Sequence, residues 1–169
     1  RGGVVYHDGQ FDDSRLAVNM AQTIADYDGV VLNYCKVTHL LKDDRGKVSG
    51  VKAADEETGV AYSIHAKSVV NATGVFADDI LKMDEPESPR RIMPSQGIHI
   101  VLDQEFLQSD YAIMIPKTSD NRVLFAVPWR GKVLVGTTDT RIENPSLEPR
   151  ALEEEIEFVL KTTGEYLDK

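Results

Sequence analysis

Few residues in this chain pair a reactive group with a setting that could use it, and His99 is the first. It stands in Gly97-Ile98-His99-Ile100-Val101-Leu102-Asp103, a run with strand character. Alternation puts Ile98, Ile100 and Leu102 on one face and His99, Val101 and Asp103 on the other. An imidazole, with a reference pKa of roughly 6.5, exchanges a proton near neutral pH. Such a histidine is either a hydrogen-bonded structural group or a participant in chemistry. A second stretch, Gly136-Thr137-Thr138-Asp139, ends an apolar run with two hydroxyls and a carboxylate. It either binds a polyol or caps a turn, and for Asp139 the turn is the preferred reading. A third, Ser68-Val69-Val70-Asn71-Ala72-Thr73-Gly74, begins as a buried strand and then sheds its side chains. It is a plain strand-to-helix turn or a place where a large ligand lies against the main chain.

Other chemistries find no support. The four histidines, His7, His39, His65 and His99, show no metal-ligand spacing, so no metal site is expected. There is no G-x-S-x-G elbow and no P-loop. Cys35 lies beside Lys36, but its strand setting reads as an inert buried thiol. A single cysteine excludes an intramolecular disulfide and suggests a reducing compartment, read here as the cytoplasm. The net charge of -9 argues against unaided binding to nucleic acid or an anionic membrane. No run approaches the ~20 apolar residues that span a bilayer, and no signal-peptide pattern occurs. Glu153-Glu154-Glu155 sits near a predicted helix N-terminus and reads as a solvated face.

The elements that must position these groups follow from periodicity. A strand is predicted near Gly3–Tyr6, then a helix capped by Asp12 or Asp13 with Leu16, Met20 and Ile24 at four-residue steps. Asp28-Gly29 should end it, with the glycine in the left-handed conformation. Three strands with turns at Lys42-Asp43-Asp44-Arg45-Gly46 and Glu56-Glu57-Thr58-Gly59 read as a β-meander. The buried strand ending in Asn71-Ala72-Thr73 leads to a short helix. A charged, Pro-bearing break over 84–91 is the predicted domain boundary. Beyond it lie strands, one hairpin turning at Ser119-Asp120-Asn121, and a last helix whose inner face should carry Leu152, Ile156, Val159 and Leu160. The fold class is mixed α/β, with residues 1–84, 85–147 and 148–169 as its three parts. The 169 residues are enough for a domain, yet the chain opens on Arg rather than Met and reads as the middle of a longer one.

The segments Tyr6–Leu16, Val69–Ile80, Pro94–Leu102 and Phe125–Thr140, in this order, resemble the FAD-dependent glycerol-3-phosphate dehydrogenases. The likeness runs from about Gly3 to Val159, and Gly-Thr-Thr-Asp-Thr preceded by Pro-Trp is its most specific motif. It implies a partial FAD-binding domain with a β-meander, followed by an antiparallel substrate-domain sheet. It also implies oxidation of sn-glycerol 3-phosphate to dihydroxyacetone phosphate, with hydride passed to FAD and electrons onward to a quinone. Peripheral membrane contact would then lie outside this chain. By resemblance, Val37 meets the adenine half of FAD through its main chain, and Ala72, Thr73, Gly74 and Phe76 border the cofactor. Phe76 stands where the family usually has Trp, Val75 where it has Pro, and Gln96 where it has Lys. Ser95, Gly97, Thr137 and Thr138 fall on the substrate side, and His99 is the candidate catalytic base or substrate hydrogen-bond partner. No G-x-G-x-x-G occurs, so these residues by themselves should hold FAD weakly or not at all. Two other readings are a flavin-dependent amine or amino-acid oxidase of the glycine-oxidase type and a non-catalytic α/β binding module.

Overall fold

The computed structural model describes residues 3–116, 118 and 122–167. The chain divides into two compact units that meet in sequence at Val69 and Val70.

In the first unit, α1 spans Asp13–Asp26, and the Asp12 carboxylate caps it by accepting from the Arg15 N–H at 3.0 Å. After Tyr27 the left-handed residue is Asp28, with φ of 59°, and not Gly29. The glycine is needed for a different reason. Its N–H reaches the Ile24 carbonyl at 2.8 Å, and a Cβ there would lie 2.8 Å from the same oxygen. Strands β1 (Cys35–Lys42), β2 (Val48–Asp55) and β3 (Ala61–His65) form the expected antiparallel meander in chain order. Asp43 ties its turn by accepting from the Arg45 and Lys47 amides, each at 2.9 Å. Asp55 does the same for Glu57 and the Thr58 hydroxyl, both at 2.8 Å. The strand predicted at Gly3–Tyr6 is absent, and residues 3–12 are irregular.

The strand predicted at 68–73 is absent too. The segment is irregular and Val70 is 84% exposed. Two β-branched residues favour an extended backbone, but a strand exists only where a neighbour takes its hydrogen bonds. No described strand pairs with this segment. Asn71 folds the bend instead, donating to the Ala77 carbonyl at 2.9 Å and accepting from the Thr73 hydroxyl at 2.8 Å. A 3-10 turn over Gly74–Phe76 then leads into α2, Ala77–Asp84.

The second unit thus takes in residues 70–84, which sequence reading had grouped with the first part. The physical link crosses the charged break: one carboxylate oxygen of Asp78 accepts from the Arg91 and Ile92 amides at 3.0 and 2.9 Å. The two-residue strands β4 (Ser95–Gln96) and β9 (Thr140–Arg141) pair antiparallel. A four-stranded antiparallel sheet has the order β5-β8-β7-β6, from β5 (His99–Asp103), β6 (Ile113–Ile115), β7 (Leu124–Trp129) and β8 (Lys132–Gly136). Arg130 and Gly131 join β7 to β8 with φ of 49° and 76°, the two positive values that a tight two-residue hairpin turn requires. The turn predicted at Ser119-Asp120-Asn121 lies outside the described residues.

One face of this sheet is the core. Ile115, Leu124, Ala126, Val133 and Val135 are fully buried there with Val159 of α3, Glu153–Thr163. The side of α3 that is buried differs from the apolar stripe read in sequence. Glu155, Val159, Thr162 and Thr163 are inside, whereas Leu152, Ile156 and Leu160 are 40%, 39% and 50% exposed. Glu155 finds hydrogen-bond donors inside, so the helix turns that side inward.

Candidate active site

His99 opens β5, and pleating turns it away from Ile98, Ile100 and Leu102, which pack on the core. Its register partner is Gly136, which in turn pairs with Phe125, opposite Met114. This row, with Val101, Leu134 and Val127 in the next, makes up the sheet face opposite the core. The face is open: Val101 is 59% and Met114 43% exposed. An imidazole therefore stands on a largely apolar, accessible platform, where a flat or aliphatic ligand is welcome and a proton acceptor is at hand.

Gly136 shapes that platform. A Cβ at this position would sit 2.6 Å from His99 Cδ2 and 2.7 Å from the Ile98 carbonyl oxygen. Only hydrogen leaves room for the ring to lie across the strand pair. Gly97 is similarly constrained, since a Cβ there would collide with the Thr138 carbonyl oxygen and the Thr137 hydroxyl. Thus Gly97, His99, Gly136, Thr137 and Thr138 are brought into one neighbourhood.

The two threonines part company. Thr137 is exposed, and its hydroxyl donates to the Thr138 carbonyl at 3.0 Å. Thr138 is only 5% exposed; its hydroxyl accepts from the Ile98 N–H at 3.0 Å and donates to Glu155 Oε1 at 3.1 Å. Glu155, read in sequence as solvated, is 2% exposed. Its Oε2 accepts from Gln96 Nε2 at 2.8 Å and from the Leu152 N–H at 2.9 Å, and Thr140 also contributes a side-chain hydrogen bond. Burial pushes this carboxyl up, but the Leu152 amide and the Thr140, Gln96 and Thr138 side chains outweigh it, holding the group below the ordinary value of 4.5. Gln96, where the resembling family has Lys, spends its amide on Glu155 and on the Arg150 carbonyl at 3.1 Å. Thr138 and Gln96 are therefore framework, whereas Thr137 and His99 face outward.

Other predicted residues are less closely joined. Ser95 is exposed and pairs with Arg141. Val37 is half-buried in β1 of the first unit, paired with Ala53 beside the irregularity at Thr38. Ala72, Thr73 and Gly74 form the exposed bend before α2, with Phe76 half-buried at its end. Gly74 has φ of 57°, and a Cβ there would meet nothing within 4 Å, so the bend is open to an approaching ligand. Among the described residues no group of three His, Cys, Asp or Glu could hold a metal ion.

Sequence reading missed Gly136 and Glu155. A glycine closing the apolar run Val133-Leu134-Val135 was a visible sign of close approach. No local pattern separates Glu155 from Glu153 and Glu154; only the turn of α3 does.

A model of the FAD dependent oxidoreductase family matches residues 1–169, so the chain belongs to that family. It is 44% identical to the mitochondrial glycerol-3-phosphate dehydrogenase of Schizosaccharomyces pombe, over 99% of this chain and 27% of the relative. It is 37% identical to the human mitochondrial glycerol-3-phosphate dehydrogenase, over 98% of this chain and 23% of the relative. The chain spans only those shares of the curated relatives it matches. Among solved structures, the glycerol-3-phosphate dehydrogenase of Bacillus halodurans complexed with FAD matches with a TM-score of 0.84 and 35% identity, over 92% of this chain and 31% of that one. These relatives agree with the resemblance carried by the motifs. They overturn the cytoplasmic location, because the curated relatives are mitochondrial. A lone cysteine rules out an internal disulfide and nothing more, so it could not tell one reducing compartment from another.

Proposed function

We propose that the protein carrying this chain oxidises sn-glycerol 3-phosphate to dihydroxyacetone phosphate and passes the electrons to a quinone. The observation that carries this reading is His99 on an open sheet face, backed by Gly136, in a chain of the FAD-dependent oxidoreductase family whose relatives are glycerol-3-phosphate dehydrogenases. FAD, when bound, supplies the acceptor for the hydride leaving C2 of the substrate. The open bend at Ala72, Thr73 and Gly74, with Phe76 at its end, fits a cofactor that needs access to main chain; for Val37, in the first unit, main-chain contact with FAD rests on the resemblance alone. On the substrate side, Ser95, Gly97 and the exposed Thr137 hydroxyl offer polar contacts, while Thr138 supports them from beneath.

His99 takes the proton of the C2 hydroxyl as that carbon becomes a ketone, leaving an imidazolium. A neutral imidazole suits the task near physiological pH, and positioned bases typically contribute ~10²–10⁴-fold. In the second unit, the 70–84 segment serves the cofactor, and the antiparallel strands over 85–147 serve the substrate. Reaching a quinone calls for membrane contact. No helix among the described residues is long and apolar enough to cross a membrane, and we assign a peripheral contact to other parts of the protein. The test is anaerobic mixing of the flavin-loaded protein with glycerol 3-phosphate, glycine or sarcosine, following flavin absorbance. Rapid bleaching by the phosphate ester alone is expected, and bleaching by the amines alone would replace this reading with the amino-acid oxidase one.

A further inference from the structure

We propose that Glu155, on α3, is a positioning residue for His99, acting through Thr138 and the Ile98 amide to fix how the imidazole is presented. The inference rests on the placement of His99 at the chemistry proposed above.

A carboxylate removed from water is costly unless donors replace the water, and Glu155 is 2% exposed. Its donors are not scattered. Gln96 comes from β4, immediately before Gly97, and Thr138 from just after Gly136. Leu152 supplies the amide at the start of α3 itself. One carboxylate therefore pins both chain segments that flank His99 and its register partner. The Thr138 hydroxyl is the connecting atom: it donates to Glu155 at 3.1 Å, and that orients its lone pairs to accept the Ile98 N–H at 3.0 Å. Ile98 N–H lies one peptide before His99. Fixing that amide fixes the plane from which the His99 side chain departs, and Gly136 fixes the surface on which the ring lies. Burial of charge here needs a purpose, because packing alone would be served as well by an apolar residue.

The experiment uses the flavin-loaded protein with Thr138→Val, Glu155→Ala, Glu155→Gln and, as reference, His99→Ala. Flavin content and single-turnover flavin reduction by glycerol 3-phosphate are measured for each, and the Cε1–H resonance of His99 in histidine-labelled protein for the parent and the three variants that keep the imidazole, with His99→Ala serving to assign it. Thr138→Val keeps shape and removes only the linking hydroxyl. With it, the limiting reduction rate should fall at least tenfold, the substrate concentration at half-maximal rate should change by less than about threefold, and the His99 resonance should move. Glu155→Ala should do the same or more. Glu155→Gln should recover much of the rate, since its carbonyl can accept from Gln96 and Leu152 while its amide donates to a reversed Thr138 hydroxyl. If Glu155→Ala loses flavin, the Thr138→Val and Glu155→Gln results decide. An unmoved His99 resonance in Thr138→Val overturns the proposal whatever the rates. Parental rates in Thr138→Val beside a slow His99→Ala also overturn it and leave the reading of His99 intact. A parental rate in His99→Ala instead removes the basis in chemistry, and the resonance alone then tests the geometric claim.

Discussion

At the residue scale, His99 owes its candidacy to three independent constraints: pleating turns it outward, Gly136 leaves space for its ring, and the face is exposed at both edges, at Val101 two residues along the same strand and at Met114 on the far edge strand. Replacing it with Gln or Ala in the flavin-loaded protein should slow flavin reduction by glycerol 3-phosphate by ~10²–10⁴-fold with flavin content unchanged. Stopped-flow absorbance measures the first and the flavin spectrum after denaturation the second. Parental rates in both variants would make His99 structural. Gly136→Ala tests the support beneath it. The added methyl would come 2.6 Å from His99 Cδ2, so the ring must move. Overpacking of this kind costs ~1–3 kcal/mol in stability. The reduction rate should fall more than that loss explains, as seen by comparing urea unfolding with single-turnover rates. Glycine at the end of an apolar run was legible from the sequence, but its partner was not, because strand register depends on residues far apart in the chain.

At the element scale, the four-stranded sheet and α3 form the core of the second unit. Ile115 is fully buried, so Ile115→Ala should cost about 2–5 kcal/mol by urea denaturation, whereas Val101→Ala on the open face should stay within about 0.5 kcal/mol. A comparable loss at both positions would show that the face of His99 is covered. The contribution of Glu155 to stability has a definite pH dependence. Its folded pKa is depressed, so the unfolded state binds more protons, and the stabilisation is complete above the ordinary value of 4.5. It is lost as pH falls through the lower folded value. The difference in melting temperature between the parent and Glu155→Gln should therefore be constant near neutrality and close below about pH 4.5. A difference that stays unchanged into that acidic range would mean that the charge contributes nothing. Helix α3 also exposes the limit of periodicity. Leu152, Ile156 and Leu160 mark an apolar stripe, yet Val159 and the hydrogen-bonded Glu155 are inside, because a satisfied buried carboxylate and a shaped contact outweigh the three aliphatics left exposed.

At the scale of the whole molecule, the first unit is thinly cored. Ala53 is its one buried hydrophobic residue among those described, and Leu16, Met20 and Ile24 of α1 are 44%, 58% and 46% exposed. The 169 residues expressed by themselves should accordingly purify without stoichiometric flavin, since their sequence contains no G-x-G-x-x-G, the turn that holds a pyrophosphate at a helix N-terminus. The absorbance ratio of protein to flavin after gel filtration measures this, and a yellow one-to-one complex would defeat the expectation. Local sequence by itself determined the meander and its Asp-bearing turns, the capped first helix, the alternation that turns His99 outward and the motifs that mark the family. Each of these depends on neighbours within a few residues, where backbone preference and side-chain spacing act directly. The fate of Val69-Val70, the inward turn of Glu155, the pairing of His99 with Gly136 and the joining of 70–84 to the second unit were decided only by tertiary structure. An extended segment becomes a strand only when another strand accepts its hydrogen bonds. A carboxylate becomes framework only when donors from distant segments converge on it, and neither condition is written in any short stretch of chain.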